Sequence, residues 1–335
     1  MSRAVRYKKH LTTLQVFLSI VLVLLTVCVL VKAFFLKAPE QKAAELPAQS
    51  AASDTDSQQS PEEQAAQEAL RSHLERKGGF YTILLSGLDD DNGGSDTNIL
   101  VAVDTVNGYV YGVSIPRDSK AIIDGKARKI NYAYNKGGTE LLADTVSEQL
   151  GIPVDYTVSV NLKGFTALVD AIGGVDFDVP INMDYDDPIQ NLSIHFKKGV
   201  QHLSGADALR VVRFRHNNDG SGYGSEDLGR MATQQKFLKA VAKKMLSAGN
   251  ILTKIDDYAK IFNQYVDTNL TVGNLAWLGT EVLKMGVDKI DFSTLPNAWK
   301  YPYIYLDPTE TLTLVNTYLN PYVEDRTADD LNIPG

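Results

Sequence analysis

Four carboxylates follow the first β-like run of the chain. The run covers residues 82–85, and the carboxylates after it are Asp89, Asp90, Asp91 and Asp96. An open α/β sheet places its ligand site at strand ends of this kind, and carboxylate oxygens suit a hard cation such as Mg²⁺. A polar turn is the alternative, since Asp, Asn and Gly favour turns. An EF-hand is excluded because Leu100 stands where that loop requires its closing glutamate.

Arginines form the second chemical signal. Arg117 and Asp118 follow the β-like run 109–115, and a later set comprises Arg213, Arg215, Asp227, Arg230 and Gln234. A planar guanidinium binds two phosphate oxygens at once. Arg213 and Arg215 share a face if the chain there is extended, while Arg230 and Gln234 lie one helical turn apart. A solvated basic face is the alternative, but arginines together with strand-end acids indicate chemistry on a phosphate or pyrophosphate.

Alternating strands and helices must position these side chains. Strands are predicted at residues 81–85, 99–103, 109–115, 157–161 and 175–179, and helices at 139–150, 163–171, 205–212 and 227–246. This pattern predicts an α/β fold, an α-β-α sandwich with a central mixed sheet. Asp227 would cap the last of these helices.

The predicted catalytic domain covers residues 80–249. Two more helices (251–265 and 273–285) and a strand (289–294) are predicted in residues 250–335. We expect this C-terminal segment to pack on the same sheet.

An uncharged segment lies close to the N-terminus. Residues 16–31 carry no charge, and with their flanks residues 11–36 are long enough to cross a bilayer core of about 30 Å. The basic residues before it predict a cytoplasmic tail, residues 1–10, with the rest of the chain outside the cell. A cleaved signal peptide is the alternative, but its apolar core is usually shorter. Residues 37–79 are predicted to form an extracellular linker.

Composition excludes several classes of protein. The net charge of -8 argues against a nucleic-acid binder, which needs a basic face. Cys28 is the only cysteine, so no intrachain disulfide forms. The histidines show no metal-binding spacing, and we interpret His195, His202 and His216 as ordinary surface or loop residues.

An ordered set of motifs identifies a family resemblance. The motifs are LLSGLD (84–89), SDT (95–97), SIPRD (114–118), KINYAY (129–134), LVDAIGGV (168–175), LSGADAL (203–209), RFR (213–215) and DLGR (227–230). Together they resemble the LytR-CpsA-Psr family of Gram-positive cell-envelope proteins, and they span roughly residues 80–246. The single N-terminal span also resembles that family.

The resemblance implies a membrane-anchored phosphotransferase. Members move a glycopolymer, such as wall teichoic acid or capsular polysaccharide, from a polyprenyl-pyrophosphate lipid to peptidoglycan. The implied acceptor is the C6 hydroxyl of N-acetylmuramic acid. The implied roles are Mg²⁺ binding by Asp89 and Asp96, orientation of the arginines by Asp227, and pyrophosphate binding by a set that comprises Arg117, Arg213, Arg215, Arg230 and Gln234.

Several details stay open at the level of sequence. Asp118 is either catalytic or a structural partner of Arg117, and the general base is Asp89, Asp96 or a nearby carboxylate such as Asp91. The family often has arginines where this chain has Gly94 and Thr233, so Lys129 or Arg128 are candidates for a missing phosphate contact. The resemblance implies an apolar slot for the polyprenyl tail along residues 165–172 and 237–246, and plain core packing is the alternative for these apolar stripes. The alternatives to transfer are hydrolysis of lipid pyrophosphates and non-catalytic regulation.

Overall fold

A computed structural model describes residues 36–42, 73–88, 94–189, 192–224 and 226–335, without the side chains of residues 226–228 and 248–256. The described chain divides into two compact units. One contains residues 36–40 and 270–280, where Asn274 Nδ2 donates to the Lys37 carbonyl at 2.9 Å. The other contains residues 41–269 and 281–335 and carries every site residue discussed below.

A six-stranded mixed sheet organises the larger unit, in the order β11-β6-β1-β2-β3-β12. Its strands are β1 (Phe80–Leu88), β2 (Ser95–Asp104), β3 (Tyr109–Ile115), β6 (Tyr156–Asn161), β11 (Val266–Thr268) and β12 (Ile290–Thr294). β2 runs antiparallel to β1 and β3, whereas β6 is parallel to β1 and β12 is parallel to β3. The predicted mixed α/β fold with a central mixed sheet is therefore confirmed.

Shorter antiparallel pairs surround this sheet. They are β4 (Lys120–Ile123) with β5 (Lys126–Lys129), β7 (Val175–Val179) with β10 (Gly199–Leu203), β8 (Met183–Asp187) with β9 (Leu192–Phe196), and β13 (Asn297–Lys300) with β14 (Tyr303–Leu306). Of these strands, the sequence pattern predicted β7 alone.

The described helices match most of the predicted ones. They are α1 (Asn131–Leu150), α2 (Leu162–Ala171), α3 (Gly205–Arg213), α4 (Glu226–Met245), α5 (Ala248–Tyr265), α6 (Val272–Met285) and α7 (Pro308–Leu314). α1 consists of two helical parts, since Gly137 and Gly138 between them have non-helical backbone angles. The second part begins at residue 139, as predicted, and the first part was not predicted. Asp227 is the second residue of α4, so it lies inside the first turn and not at the predicted cap position.

Helices lie on both faces of the sheet. Leu84 and Leu100 point to one face, where they join a buried cluster with Leu142 and Val146 of α1. Side chains one position later or earlier along a strand point to the opposite face. A second buried cluster combines α2, α3 and α4 with the β7–β10 region, and it includes Val169, Val211 and Phe237.

A buried carboxylate fixes the chain just before β1. Asp155 has a fully buried side chain and accepts hydrogen bonds from both terminal nitrogens of Arg76, at 3.0 and 2.8 Å. Thr82 N donates to the same carboxylate at 2.9 Å, and so does Lys42 N at 2.9 Å. Residues that the sequence assigned to an extracellular linker, Lys42 and Arg76, therefore bond to the folded unit.

The predicted transmembrane segment, residues 11–36, falls almost wholly outside the described residues. Within the described part of the chain, no helix combines the length and the apolar character needed to cross a bilayer.

Ser204 caps α3, the helix that ends at Arg213. Its Oγ accepts a hydrogen bond from Asp207 N at 3.2 Å. We expect Ser204→Ala to lower the free energy of unfolding by about 1 kcal/mol, because the alanine leaves that N–H without its acceptor. Ser204→Gly should cost only a few tenths of a kcal/mol. Urea denaturation of both variants measures the difference, and equal losses in the two would contradict a capping role.

Candidate functional site

Strand pairing brings Asp96 and Arg117 together. Asp96 is the second residue of β2, and Arg117 lies two residues beyond the end of β3. The β2–β3 register pairs Asn98 with Ile115, so the start of one strand lies beside the end of the other. Arg117 Nη1 then donates to Asp96 Oδ1 at 2.7 Å, and both side chains remain partly exposed. The ion pair forms one wall of the site.

Asp118 contacts both cations next to it. Lys129 Nζ lies 3.0 Å from Asp118 Oδ1, and Arg117 Nε lies 4.0 Å from the same oxygen. Lys129, which the sequence offered as a substitute phosphate contact, is therefore paired with a carboxylate. This favours a structural role for Asp118 in holding Lys129 and Arg117.

The remaining arginines come from α3, from the chain just after it and from α4. Arg213 is the last residue of α3, and the chain becomes extended at Phe214. The condition for Arg213 and Arg215 to share a face, one extended segment, is therefore not met. Both nevertheless line the same cavity as Arg230 and Gln234 of α4. The five predicted pyrophosphate-binding residues, Arg117 included, thus converge.

Gln235 attaches α4 to the sheet. Its Nε2 donates to Ser114 Oγ at 2.9 Å and to the Ser293 carbonyl at 2.8 Å. Ser114 belongs to β3 and Ser293 to β12. Because Gln234 and Arg230 lie on the same helix, this contact fixes them relative to Arg117. Gln234 Nε2 itself donates to the Val212 carbonyl at 3.0 Å, which orients its amide group.

A large cavity of about 570 Å³ lies behind these polar residues. Its walls are mostly apolar and come from β1, β2, β6, β9, α2, α3 and α4; they include Leu85, Ile99, Val158, Phe165, Leu209 and Phe237. Asp96, Arg117, Arg213, Arg215, Arg230 and Gln234 line the same cavity. The cavity therefore combines a long apolar space with a cationic group, and residues 165–168 and 237–238 of the predicted slot contribute to it.

A small cavity of about 30 Å³ shares part of this polar wall. The residues common to both cavities are Asp96, Thr97, Arg117, Arg230 and Gln234. Asp118 and Ile304 line only the small one. The shared residues thus lie between the large, mostly apolar cavity and the small one.

Gly94 and Thr233 occupy the positions where the family often has arginines. Gly94 has φ +107°, a backbone conformation that favours glycine, and a Cβ there would lie 3.0 Å from Asn135 Oδ1. Thr233 is buried, and its Oγ1 donates to Tyr223 OH at 3.1 Å. Burial raises the pKa of the Tyr223 phenol, and the Thr233 hydrogen bond opposes that rise. Neither position contributes a side chain to the cavity lining.

Of the two predicted Mg²⁺ ligands, the structure describes Asp96. Asp89, with Asp90 and Asp91, lies outside the described residues, and so does the side chain of Asp227. Of the residues that are described, no group of three or more His, Cys, Asp or Glu could hold a metal ion. Asp96 is a partly exposed oxygen donor at the polar wall, with Oδ1 bonded to Arg117. Its carboxylate oxygen is a donor of the kind that suits a hard cation.

Several lining residues were not foreseen from the sequence, and three of them are His216, Tyr185 and Ile304. His216 lines the large cavity, where its ring meets Tyr185 edge to face with centroids 5.5 Å apart. His216 was interpreted from the sequence as an ordinary surface or loop residue, and its position at the cavity was not anticipated. Tyr185 and Ile304 come from the hairpins β8–β9 and β13–β14, and neither carried a recognisable signal.

Comparison with known proteins places this geometry in a family. A sequence profile described as the LytR_cpsA_psr family matches residues 44–319. A polyisoprenyl-teichoic acid–peptidoglycan teichoic acid transferase, TagV of Bacillus subtilis (strain 168), is 37% identical over 202 residues, 57% of this chain and 50% of that protein. A transferase of the same name, TagU of Bacillus cereus, is 37% identical over 195 residues, 57% of this chain and 60% of the relative. The chain thus spans about half the length of the curated relatives that it matches.

The crystal structure of B. subtilis TagV has a similar fold. It superposes with a TM-score of 0.60 at 32% sequence identity, and the match covers 72% of this chain and 96% of that one.

Proposed function

Because the chain belongs to the LytR_cpsA_psr family, we propose that it is a phosphotransferase that moves a glycopolymer from a polyprenyl-pyrophosphate lipid to peptidoglycan. Teichoic acid is the polymer that the names of its relatives suggest. The C6 hydroxyl of N-acetylmuramic acid is the acceptor atom that the family resemblance implies.

One observation carries this proposal: a mostly apolar cavity of about 570 Å³ is also lined by four arginines. A polyprenyl chain needs an apolar space, and its pyrophosphate needs fixed positive charge. A soluble phosphorylated substrate would use the arginines and leave the apolar walls without a role. The combination therefore favours a lipid with a charged head.

The protein residues act mainly by positioning and by stabilising charge. The acceptor oxygen forms a bond to the phosphorus that carries the glycan, and the bond from that phosphorus to the bridging oxygen breaks. Polyprenyl phosphate leaves with the electron pair, and Arg117 and Arg230 neutralise the charge that develops on it. A carboxylate takes the hydroxyl proton, for which Asp89, Asp91 and Asp96 remain the candidates.

Mg²⁺ is the proposed cofactor, held by Asp89 and Asp96. When bound, it would withdraw charge from the pyrophosphate oxygens. Asp96 would then contact both the cation and Arg117, so it would hold the guanidinium near the bound phosphate. Asp227 is proposed to orient the arginines.

Membrane attachment through residues 11–36 completes the proposal. The predicted span would keep the enzyme at the surface where its lipid donor resides, with residues after 37 outside the cell. The proposed partners are therefore the membrane, the lipid-linked glycan and peptidoglycan.

Reconstitution tests the reaction. The full chain in detergent micelles would be incubated with a lipid-pyrophosphate glycan, Mg²⁺ and soluble muropeptide oligomers. We expect the glycan to become joined to the muropeptide through a phosphodiester. Free phosphorylated glycan alone would instead indicate a hydrolase, and no turnover with intact donor binding would indicate a regulator.

Removing the cation should stop transfer. We expect EDTA to abolish turnover and added Mg²⁺ to restore it. Asp96→Asn should raise the Mg²⁺ concentration for half-maximal activity by about tenfold, because the variant loses one anionic oxygen ligand. Asp291→Asn, which removes an exposed carboxylate paired with Lys239, is the matched control. An unchanged Mg²⁺ titration in Asp96→Asn would remove Asp96 from the ligand set.

A further inference from the structure

The β13–β14 hairpin exposes two large aromatic side chains. Trp299 is 59% exposed and Tyr301 is 85% exposed. Solvent-exposed aromatics grouped in one place commonly mark an interaction site. Neither residue belongs to the proposed donor site, so their exposure needs another explanation.

Strand register places Trp299 beside the small cavity. Trp299 pairs with Ile304 across the hairpin, and directly opposed residues share a face with their Cβ atoms about 5 Å apart. Ile304 lines the small cavity with Arg117 and Asp118. Its backbone N also donates to the Asp118 carbonyl at 2.9 Å, which ties the hairpin to the site. The Ile304 side chain therefore lies between the Trp299 indole and the residues that line both cavities.

Positive charge surrounds these aromatics. The hairpins β4–β5 and β13–β14 lie side by side, since Tyr303 OH donates to the Ala127 carbonyl at 3.1 Å. Together they contain five basic residues and one acidic residue, in a chain whose net charge is -8. The basic residues are Lys120, Lys126, Arg128, Lys129 and Lys300. The acidic residue, Asp124, is already paired with Lys136, and Lys129 with Asp118, so the excess positive charge comes from the other four basic residues. This surface therefore favours an anionic partner.

We propose that Trp299 and Tyr301 bind the acceptor glycan on the side of the small cavity. The inference rests on the proposed function and adds to it the location of the acceptor. The C–H groups on one face of a pyranose ring pack on an indole ring, and the carboxylates of a muropeptide match the ammonium groups nearby.

The two cavities fit the two sides of an in-line displacement. The entering and leaving oxygens lie on opposite sides of the phosphorus. The leaving polyprenyl phosphate belongs to the large apolar cavity. Asp96, Arg117 and Arg230 line both cavities, so a phosphorus held between them is open to attack from the small one. Trp299 lies on that second side.

Steady-state kinetics of the full chain tests the assignment. We expect Trp299→Ala to raise the KM for soluble muropeptide oligomers about tenfold, with the donor KM and the kcat at saturating acceptor unchanged. Trp299→Phe should recover much of the loss because it keeps an aromatic face. Val200→Ala, which alters an exposed apolar residue of β10, is the control and should match the wild type.

Direct binding separates this inference from the proposed reaction. Isothermal titration of the same proteins with muropeptide oligomers should show a Kd about tenfold weaker for Trp299→Ala. If the wild type binds through Trp299 but transfers nothing, the proposed function fails and the acceptor surface stands. If the wild type transfers normally while Trp299→Ala keeps the same acceptor KM and Kd, the acceptor surface is wrong and the function stands. A wild type that neither transfers nor binds muropeptides overturns both.

Discussion

Replacing Arg117 with alanine is expected to lower the turnover number for glycopolymer transfer about 1000-fold, which corresponds to about 4 kcal/mol of lost transition-state stabilisation. The guanidinium lies 2.7 Å from Asp96 and lines both cavities. From this position it can neutralise the negative charge that moves from the bridging oxygen onto the leaving phosphate. Loss of a single arginine that neutralises transferring phosphate typically has an effect of this order. Single-turnover kinetics with a labelled lipid donor measures it.

Two further variants identify why the arginine matters. Arg117→Lys keeps the charge but loses the planar fork, so we expect it to recover only a small part of the activity. Arg210→Ala removes an exposed arginine that pairs with Asp207 on α3 and does not line either cavity. It should transfer at the wild-type rate. Full activity in Arg117→Ala, with normal donor binding, would remove Arg117 from the reaction.

Strand positions followed directly from apolar runs. Residues 109–115 were predicted as a strand and form β3 with the same bounds, because alternate side chains face two buried layers. The helix predicted to start at residue 139 forms the second part of α1, because the glycine pair 137–138 interrupts the helical backbone. The hairpins β4–β5 and β13–β14 were missed because their strands of four residues are too short for a period to be recognised. The hairpin β8–β9 was missed although apolar and polar residues alternate along both strands.

The members of the site could be predicted from the sequence, but their partners could not. Residue type and family resemblance selected Arg117, Arg213, Arg215 and Arg230, and the structure places all of them at one cavity. The contact between Asp118 and Lys129 depends on how β5 lies beside the loop after β3, which no local pattern encodes. Ile304 reaches the small cavity from a hairpin nearly 190 residues beyond Arg117 in sequence. Such long-range placement arises only from tertiary packing.

Filling the apolar cavity is expected to impair the reaction of donors with a long lipid tail and to spare donors with a short one. Leu209 of α3 lines the large cavity and does not belong to the packed cluster that surrounds it. A tryptophan at this position should occupy space that the polyprenyl chain needs, at a modest cost in stability. We expect Leu209→Trp to lower kcat/KM at least about 100-fold for a long polyprenyl donor, and much less for a donor with one or two isoprene units.

The test depends on comparing donors with long and short polyprenyl chains. Ala206→Trp places the same new side chain on the exposed face of the same helix, so it should leave both donors unaffected. A short donor needs only the arginines and should react at a similar rate in all three proteins, provided that their melting temperatures agree. If Leu209→Trp slows both donors equally, the cavity does not hold the lipid tail, and the apolar walls must serve another purpose. If it slows only the long donor, the same cavity that stabilises the lipid also fixes the pyrophosphate beside Arg117.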